Sequence, residues 1–189
     1  MKLDTANRLS YITILLHWLI AITIIGLIAL GLYMTNFELY DYYDMHKSIG
    51  IILSGIILVR VVWRIKQGWP VPASNNGKNE LFLAKITHWL LITSSVLMPI
   101  TGMISSGATG HGFGIFRLAM LKENIDPFNP EKTIPLSQFW GEVGEIAHEY
   151  MGYILILAIV IHIAGALNHH LIYKDSTLLR MLGIKANAN

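Results

Sequence analysis

The run Glu145–Tyr173, EIAHEYMGYILILAIVIHIAGALNHHLIY, restricts what this chain can fold into more than any other part of it. It is apolar and long enough to cross a bilayer, which takes about 20 residues of helix, yet it carries His148, His162, His169 and His170. Read as a helix, the fourteen residues from His148 to His162 make almost four turns. Their rings then fall within about 40° of one face and roughly 21 Å apart. His169, seven residues further on, returns to the same stripe. Ionisable residues inside a membrane helix are costly and mark functional sites. Two imidazoles on one face at two depths predict two stacked metal centres, one near each membrane surface.

The remainder of the chain fits that reading. Of 189 residues, 53% are hydrophobic and only 14% charged, and the mean hydropathy is +0.51. This is an integral membrane profile. The absence of cysteine removes disulfides, iron–sulfur clusters and thiolate nucleophiles together. Four segments are predicted to span: residues 11–34, about 46–65, about 85–104 and about 149–173. The first is too long for a signal-peptide core and has no small-residue cleavage site after it, so it is expected to be retained. Pro99 and Gly102 predict a kink near the outer end of the third span. Residues 105–144 read as a long loop, with His111 in it and no role assigned. The expected fold is an all-α membrane protein, a four-helix bundle forming one domain over 1–189.

Charge gives the orientation. With the N-terminus inside, the inner segments hold ten cations against the three carboxylates Asp4, Glu80 and Asp175, a net of +7. The outer segments hold four cations against nine carboxylates, a net of −5, which together make the overall +2. This is a positive-inside pattern, so both termini are expected in the cytoplasm. The pI near 8.8 reflects that topology and not nucleic-acid binding.

Depth then pairs the histidines. His17 and His162 lie in the inner halves of the first and last spans, while His46 and His148 open the second and last spans at the outer level. Two histidines from facing helices can hold a flat cofactor in a bundle core. Haem iron accepts two neutral imidazoles, which leave no open position for a diatomic ligand and favour electron transfer. Zinc fails because no cysteine or carboxylate completes either pair. Arg60, fourteen residues after His46 and on nearly the same face, is placed to pair with an inner haem propionate; snorkelling to the headgroups is the alternative. Gly26, Gly31, Gly50, Gly55, Gly152 and Gly165 would let a bulky ring approach the backbone, or serve helix packing alone.

Three stretches, ILLHWLIA, MHKSIGIILSGIILVRVVWR and AHEYMGYILILAIVIHIAGALNHHLIYKDSTLLRML, resemble the bacterial cytochrome b561 family over nearly the whole chain. The family's best-understood members are superoxide oxidases of bacterial inner membranes. The resemblance implies a four-helix bundle with two b-type haems, His17 and His162 holding the inner one, His46 and His148 the outer. It further implies a ubiquinone site at the inner face, at the positions of His88 and His169. The function then expected is electron transfer across the inner membrane between a periplasmic donor, superoxide in those members, and the quinone pool. The alternative is a non-catalytic cytochrome b subunit serving a periplasmic redox protein or a dehydrogenase. The outer net charge of −5 runs against an anionic substrate, unless Arg117, Lys122 and Lys132 form a local basic patch.

Overall fold

The computed structural model describes residues 3–5, 7–69 and 77–184. Most of the connection expected after residue 67, and two of the inner cations, Lys2 and Lys185, lie outside the described residues.

Four helices are long and apolar enough to cross a membrane. They are α1 (Tyr11–Phe37), α2 (Tyr43–Gln67), α3 (Lys78–Ala108) and α4 (Gln138–Leu171). A short α5 (Thr177–Met181) follows. All four expected spans are present as helices, each longer than expected, α3 and α4 most of all. α3 begins seven residues before Lys85 and runs through Pro99 to Ala108. α4 has 34 residues, about 51 Å of helix against about 30 Å of hydrocarbon, so about two-fifths of its length exceeds the apolar layer. Local chemistry sets several ends. Ser10 Oγ caps α1 by accepting from Thr13 N–H, and Ser137 Oγ caps α4 by accepting from Trp140 N–H. Arg64 and Lys66 close α2, where cations meet the negative end of the helix dipole.

The connection expected to be a loop holds two antiparallel hairpins. β1 (Phe113–Ile115) pairs with β2 (Leu118–Leu121), and β3 (Ile125–Asp126) pairs with β4 (Asn129–Thr133). The first hairpin is strapped to the start of α2: Phe116 N–H donates to Ser48 Oγ at 2.7 Å, and Lys47 Nζ donates to the Gly112 carbonyl at 3.4 Å. Ser48 is 1% exposed, so the α2 end of the strap is buried. Phe116 sits at φ 49, a region that bulky side chains avoid, and holds the tight turn there.

The packing is inverted relative to a soluble domain. Ile20, Leu53 and Ile57 form the one tight apolar cluster among the described residues, whereas large apolar side chains such as Ile22, Leu58 and Ile65 cover the outside. Patches of that size need a covering phase, here lipid. α3 packs against α4 along its length, α1 against α2, and α2 against α3 and β1; α4 makes at most sparse backbone contact with α1 or α2. The start of α1 and the end of α4 share one end of the bundle, the terminal end, and the hairpins mark the other.

Candidate functional site

Across the gap between α4 and the α1–α2 pair, four imidazoles meet two by two. The rings of His17 and His162 have centroids 6.1 Å apart at the terminal end. Those of His46 and His148 are 6.2 Å apart at the hairpin end. With metal–imidazole bonds of about 2.0–2.1 Å, and each nitrogen about 1.1 Å from its centroid, two imidazoles sharing one metal have centroids about 6.3 Å apart. Both pairs match that spacing. The residues therefore fit a bis-imidazole cofactor, and the sparse contact of α4 with α1 and α2 leaves it room. Among the described residues no cluster of three or more His, Cys, Asp or Glu could hold a metal ion.

Each ring is held by specific neighbours. His148 Nδ1–H donates to the Met98 carbonyl at 2.9 Å, with the Thr101 hydroxyl at 3.2 Å. A carbonyl only accepts, so Nδ1 carries the proton and Nε2 keeps its lone pair for a metal. A Cβ on Gly102 would lie 3.0 Å from His148 Cε1, so the missing side chain is what admits the ring against α3. His46 packs over Gly31, where a Cβ would be 3.4 Å from Cε1. Its Nδ1 is buried without a hydrogen-bond partner, a costly state for an imidazole unless a further group engages the ring. At the terminal end, Arg60 Nη2–H donates to His17 Nδ1 at 3.0 Å, which places Arg60 at the level of the His17–His162 pair.

The glycines divide. Gly31 meets a histidine, as does Gly102, which the sequence reading tied to a kink. A Cβ on Gly50, one turn from His46, would meet nothing within 4 Å, leaving space for a flat ring beside the pair. Gly26 and Gly55 each lie nine residues from a paired histidine, so about 180° round their helices. They face away from the rings, and the expectation that they admit a cofactor does not hold for them.

The two further histidines sit at different levels. His88 Nδ1–H donates to the Ala84 carbonyl at 2.6 Å, and its ring is 5.3 Å from that of His162. His169 lies two turns beyond His162 and its Nδ1–H donates to Asp175 Oδ2 at 2.6 Å. Tyr173, its ring 5.4 Å from that of His169, donates to the Glu80 carboxylate of α3. That bond pushes the Tyr173 phenol up from its ordinary value. Arg180 of α5 is 4% exposed; burial pulls its guanidinium down while Asp4 and Asp175 push it back up. Sequence reasoning counted Asp4, Glu80 and Asp175 only as surface charge. At the hairpin end, His111 bonds Thr109 at 3.0 Å, and Lys47 pairs with Asp44 at 3.4 Å. Arg117, Lys122 and Lys132 are exposed.

A family model described as prokaryotic cytochrome b561 matches residues 8–183. The chain belongs to that family. It is 30% identical over 185 residues to cytochrome b561 homolog 2 of Escherichia coli (strain K12), covering 95% of this chain and 94% of that one. It is 26% identical to cytochrome b561 homolog 1 of the same strain, covering 93% and 97%. Identity to a probable superoxide oxidase, CybB, of Yersinia pestis is 23%, covering 93% and 96%. The protein is thus a membrane electron-transfer protein of the cytochrome b561 family, and the family implies b-type haem. The paired imidazoles are the residues here that fit such a group.

Proposed function

We propose that the chain carries electrons through two b-type haems, one between His46 and His148 at the hairpin end, one between His17 and His162 at the terminal end. The observation that carries this is the metal-bridging separation of both pairs across helices whose backbones stand apart. The haems, when bound, supply the one-electron chemistry. The four imidazoles would hold them, and the Met98 carbonyl on His148 Nδ1–H turns that ring and raises its basicity. With iron held at Nε2, His17 Nδ1 would carry the proton and no longer accept from Arg60, whose guanidinium would then suit a haem propionate.

The charge pattern supports a terminal end in the cytoplasm of a bacterial inner membrane and a hairpin end in the periplasm. Ubiquinone is assigned to the terminal end, near His88 and His169, and the donor to the hairpin end. Superoxide, oxidised to oxygen, is the donor that the family resemblance supports. A basic redox protein is the second reading, favoured by the carboxylate-rich hairpin end. His46→Ala tests the centre of the proposal. Purified protein is expected to lose one of two haems per chain by haem assay, with the remaining absorption bands unchanged. Two haems per chain in that variant would sink the pairing.

A further inference from the structure

The turn after α4 is folded so as to set a carboxylate against His169. Lys174 takes a left-handed conformation at φ 52, a strained state for a long side chain. Asp175 N–H donates to the His169 carbonyl at 3.1 Å, and Asp175 Oδ1 accepts from Thr177 N–H at 2.8 Å. Oδ2 is thereby fixed on His169 Nδ1–H at 2.6 Å. The two side chains are 17% and 7% exposed. A histidine that only anchored the helix end would face headgroup water, and this pair is turned away from it. A carboxylate on one imidazole nitrogen fixes the ring's tautomer and orientation. The surroundings are charged on every side: Arg180 of α5 lies in electrostatic reach of Asp175 and Asp4, Asp4 pairs with Arg64 of α2 at 2.6 Å, and Tyr173 bonds Glu80 of α3.

We propose that His169 and Asp175 are the proton-delivering couple of the terminal end. His169 passes its Nε2 proton to the bound quinone, and Asp175 is the positioning residue that holds Nδ1–H and keeps the ring correctly turned. This rests on placing ubiquinone beside His169. In the reducing direction, quinone takes two electrons from the protein's redox centre and two protons, and leaves as quinol. The His169 Nε2–H bond breaks as an O–H bond forms on the carbonyl it faces. The ring is left neutral with Nδ1–H still on Asp175, and water at the cytoplasmic surface restores its proton. The second carbonyl takes its proton from the same water.

The test uses the haem-loaded protein and a short-chain ubiquinone, reading the absorption spectrum, quinone affinity by titration, and reduction rate between about pH 5 and 8, where an imidazole titrates. Asp175→Asn is expected to keep the spectrum and to hold quinone affinity within about twofold. Its rate is expected to fall about 10–100-fold and to lose its pH dependence. Asp175→Glu is expected to restore most of the rate. His169→Gln still offers the carboxylate a donor but has no transferable proton, so its rate is expected to fall about 100-fold or more with affinity retained. It carries the test alone if Asp175→Asn fails to assemble. A parent-like rate and pH profile in either variant, with a normal spectrum, overturns the proton role while leaving the quinone placement standing. If His169→Ala binds and reduces quinone as the parent does, the placement itself falls, and the couple with it.

Discussion

One missing side chain sets how closely His148 approaches α3. A Cβ on Gly102 would lie 3.0 Å from Cε1 and 3.1 Å from Nδ1 of that ring. Gly102→Ala must therefore push the imidazole off the Met98 carbonyl or tilt the helix. Overpacking of this kind costs about 1–3 kcal/mol. The expected readout is a lower melting temperature and a changed spectrum and potential for the haem proposed at the hairpin end, with the one proposed at the terminal end unaltered. Parent-like values for both would mean that the ring has slack. The histidines themselves were legible in the sequence because a polar side chain in an apolar run stands out by cost alone. Gly102 was not, since spacing along one helix does not say which residue of another helix comes against it. Asp175 was equally hidden: its partner is decided by the left-handed turn at Lys174, which no pattern around KDST announces.

At the scale of elements, Leu3, Asp4 and Ser10 tie the start of α1 to the end of α2. The Asp4 carboxylate accepts from Ser10 N–H at 2.8 Å, Thr13 Oγ1–H at 2.9 Å and Arg64 Nη2–H at 2.6 Å. Gln67 Oε1 accepts from the Leu3 and Asp4 N–H groups at 2.8 and 3.2 Å, and Trp63 Nε1–H donates to Thr13 Oγ1 at 2.8 Å. Burial alone would raise the Asp4 carboxyl; the hydrogen bonds from Ser10 and Thr13, then Arg64, outweigh it and hold the group below its ordinary 3.8. A carboxyl depressed in the folded state stabilises the fold at pH above its unfolded value. That contribution is lost as pH falls through the depressed value. Asp4→Asn is thus expected to cost about 1.5–3 kcal/mol near neutrality and nothing in strongly acidic buffer, where the parent carboxyl is protonated too. Melting temperatures of both proteins in detergent across that range check it, and a constant difference at every pH would exclude the linkage. The spans were readable from length and hydropathy, but their ends were not. Lys78, Asn79 and Glu80 begin α3 outside the apolar layer, where hydropathy carries no signal. The hairpins have strands of two to five residues without regular alternation. The first stays in place through Ser48 and Lys47, contacts remote in the chain.

Over the whole molecule, the charge asymmetry between the two ends of the bundle decides what can approach its hairpin end. Nine carboxylates against four cations repel an anion at long range. Superoxide would therefore have to be drawn in by a local cluster. Lys47 is a poor contributor, because Asp44 lies 3.4 Å from it and the Gly112 carbonyl takes another of its protons. Arg117 is better placed: it follows Phe116, whose N–H is bound to Ser48, two residues from His46. Lys122 follows β2, and Lys132 stands in β4. Attraction by such a cluster acts over about 8 Å at physiological salt, so reduction of the hairpin-end haem by superoxide should slow as ionic strength rises. A basic redox protein would show the same salt trend, but through the carboxylates. Sign reversal separates the two. Lys122→Glu with Lys132→Glu is expected to slow haem reduction by superoxide by about tenfold or more, within the range of electrostatic steering, and to tighten docking of a basic protein. Stopped-flow mixing of the oxidised parent and the double variant with superoxide measures this directly. If the parent reacts slowly and both proteins respond alike, the chain serves a partner redox protein instead, and its hairpin-end carboxylates are the surface that receives it.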